Sequence, residues 1–237
     1  MATKFEQQRL SRTVTPAEID EGLRAHMLRV YNYMAGGLGI TGIAAYATAT
    51  SPGMMNAIWN SGLGWLVVFA PLGLVLFLSF RIQKMSFSTA QMTFWVYSGI
   101  MGLSMSAIFT MYPVGDIARV FFITAAMFLA MSLWGYTTKR DLTGMGSFMM
   151  MGLIGIIIAM VVNYFLVSAM MDYVISAIGV VIFTGLTAYD TQQIKNFYND
   201  ADSTEIAGKK AIMGALRLYL DFINLFVMLL RLFGNRN

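Results

Sequence analysis

The sequence predicts an all-α membrane protein, a bundle of seven transmembrane helices, from three observations. Apolar residues make up 57% of the 237-residue chain and charged residues only 12%, far from the balance of a water-soluble domain. Seven apolar stretches each approach the roughly 20 residues that a helix needs to cross a ~30 Å hydrocarbon core. The basic residues sit in short tracts between these stretches. They therefore read as topology signals, and the formal charge of +4 gives no reason to expect a nucleic-acid partner.

The predicted spans are 30–50, 58–80, 90–111, 117–136, 147–168, 172–194 and 211–233. Their connections are short and no composition shift marks a second domain, so the chain divides into a cytoplasmic tail with a short helix (1–29) and a seven-helix transmembrane domain (30–237). Orientation follows from Lys and Arg, which are retained in the cytoplasm. Lys4, Arg9, Arg12, Arg24, Arg29, Arg81, Lys84, Lys139, Arg140, Lys195, Lys209 and Lys210 fall on one side; Arg119, Arg231 and Arg236 fall on the other. The N-terminus is thus expected inside and the C-terminus outside. Trp59, Trp65, Trp95 and Trp134 are expected near helix ends, as an aromatic belt requires. The tail mixes its bases with Glu6, Glu18, Asp20 and Glu21, unlike the basic start of a cleaved signal peptide. Thr15-Pro16-Ala17-Glu18 has the form of a capping box with proline at the first helical position, so a cytoplasmic helix should start there and run into the first span. His26 on that helix reads as a surface or interfacial residue.

Several chemistries are disfavoured. With no cysteine and a single histidine, disulfides, thiolate zinc sites and Cys/His or Ser/His catalysis have no basis. Gly37-Leu38-Gly39-Ile40-Thr41-Gly42 matches a dinucleotide fingerprint but lies inside a span with no strand before it. Gly37, Thr41 and Ala45 instead form a small-residue stripe for close helix packing, as do Ser98, Gly102 and Ser106. Gly208-Lys209-Lys210 lacks the remainder of a phosphate-binding loop. The 21 methionines, Met149-Met150-Met151 among them, read as adaptable apolar filler and not as thioether ligands.

Two acids stand apart. Asp190 and Asp221 fall within the sixth and seventh spans, where an aspartate at the bilayer centre costs about 2.5–3.5 kcal/mol and so faces a partner, the bundle interior or water. Antiparallel helices bring together residues equidistant from their turn. The midpoint of 190 and 221 lies in the polar segment 199–205, which places both carboxyls on the order of 15–20 Å from the turn at 1.5 Å per residue. Two carboxylates in contact share one proton and titrate as a coupled pair. They also offer oxygen ligands to a hard divalent cation such as calcium. Arg81, at the end of the second span, is a candidate latch for one of them. The alternative is local neutralisation: Arg217 lies four residues before Asp221 on one face, and Asn224 shares that face.

Tyr189-Asp190-Thr191-Gln192-Gln193-Ile194-Lys195, followed by Leu218-Tyr219-Leu220-Asp221-Phe222-Ile223-Asn224-Leu225-Phe226, resembles the C-terminal signature of the transmembrane Bax inhibitor motif family. Ala70-Pro71-Leu72-Gly73-Leu74-Val75-Leu76 is similar to that family as well. The resemblance implies a bundle whose C-terminal helix is central, and a calcium leak modulated by pH. It also implies that Asp190 and Asp221 form the proton-sensing pair, with Arg81 matching the latching arginine by approximate position. Two departures are the absence of an acid in the apolar part of the second span and the added cation Arg217.

The first functional expectation is therefore a pH-responsive calcium leak channel whose partners are the lipid bilayer and calcium ions, with calcium as cargo and no resident cofactor. The second is a regulatory protein that binds a membrane protease or acts in a stress pathway, and so has a membrane-protein partner. An enzyme is not expected. Paired aspartates also occur in intramembrane proteases, but the G-x-G that precedes the aspartate of their motif is Leu218-Tyr219-Leu220 here. Short tails without sorting motifs favour a bacterial inner membrane.

Overall fold

A computed structural model describes residues 16–235. Among these residues every regular element is helical: α1 (Pro16–Ala49), α2 (Pro52–Trp59), α3 (Leu63–Arg81), α4 (Phe87–Met105), α5 (Ile108–Met111), α6 (Val114–Thr137), α7 (Thr143–Leu166), α8 (Ala169–Asn196) and α9 (Thr204–Phe233), with a 3₁₀ turn at Ile82–Lys84. Serines punctuate the chain. Ser86, Ser168 and Ser203 each accept a hydrogen bond from the backbone N–H three residues on, capping α4, α8 and α9. Between α2 and α3, Gly62 takes φ +81°, a left-handed turn that a residue with a Cβ resists.

Six elements are long and apolar enough to cross a membrane: α3 with its 3₁₀ turn, α4 continued by α5, α6, α7, α8 and α9. The remaining expected span, 30–50, falls on α1, a 34-residue helix less apolar than these six. The helix begins at Pro16 and runs unbroken through residues 29 and 30, so the expected short helix and first span are one rod; Thr15 lies outside the described residues. Elsewhere the boundaries shift. Residues 52–59 form the separate helix α2, and the third span breaks at Ser106 and Ala107. Lys209 and Lys210, expected in a loop, belong to α9. Trp95 is mid-helix rather than at an end, half-buried against Tyr33 at a ring separation of 5.6 Å.

The core is built around α9. In its most apolar stretch 72% of residues are buried, against 11–39% in the other five. Helices α8, α1, α6 and α4 pack around it, while α7 leans on α8 and α3 on α4. The two small-residue stripes meet each other. Thr41 Oγ1 lies 2.9 Å from Ser98 O, and a Cβ on Gly102 would stand 2.6 Å from Thr41 O and Ala44 Cβ. Backbone approaches this close need glycine. Gly102→Val should therefore force α1 from α4 and cost about 1–3 kcal/mol, measured as a lower thermal midpoint in detergent; an unchanged midpoint would contradict the close packing.

His26 is not at the surface. It is only 7% exposed, because the first turns of α1 pack against the α8–α9 connection, where its ring meets Tyr198 at 5.7 Å. Burial, then Arg29 and Lys210, hold its pKa below the ordinary 6.5, opposed only by Asp202. The unfolded chain therefore takes up a proton near pH 6.5 that the folded chain refuses, and stability falls as pH drops below that value. Thermal unfolding between pH 7.5 and 5 should show this loss in the wild type and a smaller one in His26→Phe.

Candidate ion and proton site

The α8–α9 hairpin positions the two intramembrane acids. Gly214 lies against Ile194 and Gly179 against Met228, while Lys210 Nζ donates to Phe197 O at 3.0 Å. This register is centred on the start of α9. The first turns of α9 therefore run past the end of α8, and residues 197–203 climb alongside them. Asp190 lies six residues from the end of α8, or about 9 Å, whereas Asp221 lies about 25 Å from the start of α9 at 1.5 Å per residue. The overhang makes their distances from the helix ends unequal, while the register keeps the two acids within about one turn of the same depth.

The two carboxyls nevertheless meet. The Asp190 and Asp221 side chains interact directly. Asp221 is 5% exposed, and its Oδ2 is buried with no hydrogen-bond partner. Two carboxylates have no donor to offer each other, so a hydrogen bond between them requires a proton. The other candidates arrange themselves differently from the sequence expectation. Arg217 approaches Asp190, not its helix neighbour Asp221: Nη1 stands 4.0 Å from Asp190 Oδ1, with the arginine 47% exposed. Asn224 turns its amide onto Leu220 O at 2.8 Å, within its own helix. Arg81 is exposed at the end of α3, which packs against α4 and α2 and not substantially against α8 or α9, so the structure does not bring Arg81 to the pair. Among the described residues no group of three or more His, Asp or Glu side chains converges as for a metal ion. A calcium ion at this pair would take two carboxyls and complete its shell with water or carbonyl oxygen.

Around the acids lies a polar framework that the sequence did not assign. Thr41 Oγ1 is 2.9 Å from both Gly37 O and Ser98 O and 2.6 Å from Tyr219 Oη. Since Thr41 has one proton to give to a carbonyl, Tyr219 donates to Thr41 and ties α9 to α1. Tyr31 Oη meets Ser132 Oγ at 2.6 Å, and Ser132 meets Thr191 Oγ1 at 2.9 Å, joining α1, α6 and α8. Gln192 accepts from Leu142 N at 2.8 Å and donates to Arg140 O at 2.7 Å. Lys195 donates to Tyr136 O at 2.8 Å and lies over its ring. The residues after Asp190 thus fasten α8 to the end of α6 and the loop beyond it. Their presence in the quoted motif was the only signal, and it did not separate this fastening from chemistry.

Helical spans with a fastened pair of intramembrane acids define a class of multi-pass membrane protein, and sequence relatives make that class specific. The family described as inhibitor of apoptosis-promoting Bax1 matches residues 23–237. Protein RP147 of Rickettsia prowazekii is 49% identical over 227 residues, covering 96% of each chain. The inner membrane protein YbhL of Escherichia coli K12 is 46% identical over 218 residues, 91% of this chain and 93% of that one. A protein of Borreliella burgdorferi is 44% identical over 212 residues, 89% of this chain and 91% of its own. The chain belongs to the Bax inhibitor family and is a multi-pass integral membrane protein.

Asp221→Asn removes one like charge and supplies an amide donor toward Asp190, so its thermal midpoint in detergent should equal or exceed that of the wild type. Gln192→Leu leaves Leu142 N and Arg140 O without their partner and should lower stability by about 1–3 kcal/mol. A reversed order of the two variants would overturn this account of the pair.

Proposed function

We propose that the protein is a pH-responsive calcium leak pathway in a bacterial inner membrane, gated by Asp190 and Asp221. In this reading α1 also crosses the membrane and brings the spans to seven, the N-terminus is cytoplasmic and the C-terminus lies outside. The observation that carries the proposal is the contact of two carboxyls inside the bundle, with Asp221 Oδ2 left unpartnered. A single shared proton supplies the missing donor, and Arg217 beside Asp190 balances the remaining negative charge. Loss of that proton leaves two like charges in contact. They separate, or they take a cation between them, and either response changes how α9 packs against α8. Tyr97 Oη and Thr184 Oγ1 are also buried without partners and offer further oxygen to water or a hydrated ion along the interior. The charge asymmetry of the loops supports the orientation, and the name of the E. coli relative supports the inner membrane. Proteolysis is not part of the proposal: Leu218-Tyr219-Leu220 stand where intramembrane aspartyl proteases carry a G-x-G before the aspartate.

A second reading, a regulator acting through a membrane-protein partner, draws on the family's description, which names inhibition of another protein. Calcium efflux from proteoliposomes separates the two. The wild type should leak calcium at a rate that varies with pH, and Asp190→Asn/Asp221→Asn should lose that variation. No flux at any pH would reject the leak and make the regulatory reading the leading one.

A further inference from the structure

The wall of helices around α9 has a gap. Helices α1 and α6 barely touch; a hydrogen bond between Tyr31 and Ser132 links them. Beside it a groove of about 340 Å³ opens outward, lined by Arg24, Met27 and Leu28 of α1 and by Leu129, Leu133 and Tyr136 of α6. Its walls are chiefly apolar, and Leu28, Leu129 and Leu133 are 51%, 64% and 64% exposed, so the groove faces the hydrocarbon. Its floor is polar: Ser132 continues to Thr191 of α8.

The charge along the groove is uneven. The pairing of Tyr31 with Ser132 and the opposed directions of the two helices put Arg24 at the end where α6 passes into Lys139 and Arg140. All three cations are exposed and make no ion pair among the described residues, although Asp20 and Glu21 precede Arg24 by one turn. From Leu129 to Tyr136 the apolar wall runs about 10 Å at 1.5 Å per residue. A groove with a basic mouth at the membrane interface and an apolar trough leading into the core has the polarity of an anionic amphiphile. We propose that this groove binds one anionic phospholipid, its phosphate against Arg24 and the Lys139–Arg140 loop and an acyl chain against Leu129 and Leu133. A zwitterionic lipid fills the trough equally well but gains less at the mouth. The bound chain closes the gap between α1 and α6 and covers the Tyr31–Ser132 link, which would otherwise face the hydrocarbon edge.

The test uses the full chain, delipidated in a neutral detergent, with phosphatidylglycerol or phosphatidylcholine of identical acyl chains added and binding counted by native mass spectrometry alongside thermal midpoints. Phosphatidylglycerol should bind about tenfold more tightly and raise the midpoint. Arg24→Glu should cut its binding by about tenfold while sparing phosphatidylcholine. Leu133→Trp, which fills the trough from an exposed position, should weaken both lipids. Lys84→Glu, an exposed cation beyond α3, is the control and should change neither. Equal affinity for the two lipids, or equal effects of Arg24→Glu and Lys84→Glu, would overturn the proposal. A dimer that Leu133→Trp dissociates would also overturn it and assign the groove to a second copy of the chain.

Discussion

Hydrocarbon offers no hydrogen bonds, and the fold follows from what this requires of its most enclosed helix. α9 carries Lys209, Lys210, Arg217, Tyr219, Asp221 and Arg231, yet it is the helix with the largest buried share. Each of these groups must find its partner on an encircling element. Lys209 reaches Met85 O and Lys210 reaches Phe197 O. Tyr219 meets Thr41 of α1, Asp221 meets Asp190 of α8, and Arg231 pairs with Asp172 at 3.3 Å. These contacts recur along the length of the helix and fix its rotation and depth together. A slide by one turn would break all of them at once.

The reading of the sequence was strongest where it rested on the membrane itself. Apolar length located the helices, and the cost of an intramembrane acid singled out Asp190 and Asp221. The small-residue stripes marked close packing, though not that Gly37-Thr41-Ala45 and Ser98-Gly102-Ser106 pack on each other. Hydropathy could not see the helical turns beyond the hydrocarbon. The capping-box proline did mark the start of α1 at Pro16, but the continuation of α9 back to Thr204 was lost among charged residues, and so was the burial of His26 under Tyr198. Side-chain partners were least legible. The i to i+4 rule paired Arg217 with Asp221, but the long arginine crosses to α8, and Arg81 was given to a helix that α3 does not flank. Both depend on which helices are neighbours, and periodicity along one chain carries no such information.

Methionine and glycine together explain how so irregular a set of helices packs. Met149 lies over Gly185 and Met228 over Gly179, a flexible thioether filling the space left by a missing side chain in each case. These pairs sit on the faces of α8 turned to α7 and to α9. They let α8 touch both neighbours closely without the shape-matched branching that a rigid core demands.

The position of α9 also bears on how the protein is made. The helix at the centre leaves the ribosome after the helices that surround it. Its predecessors enter the bilayer while the space they will enclose is still vacant, and they cannot complete their packing until the thirty residues of α9 arrive. During synthesis the earlier helices must tolerate lipid where α9 will later stand, while Asp190 waits for the acid it will face. Packing of the earlier helices therefore waits on one later insertion, and a chain cut short before Thr204 would be a loose set of helices with no centre.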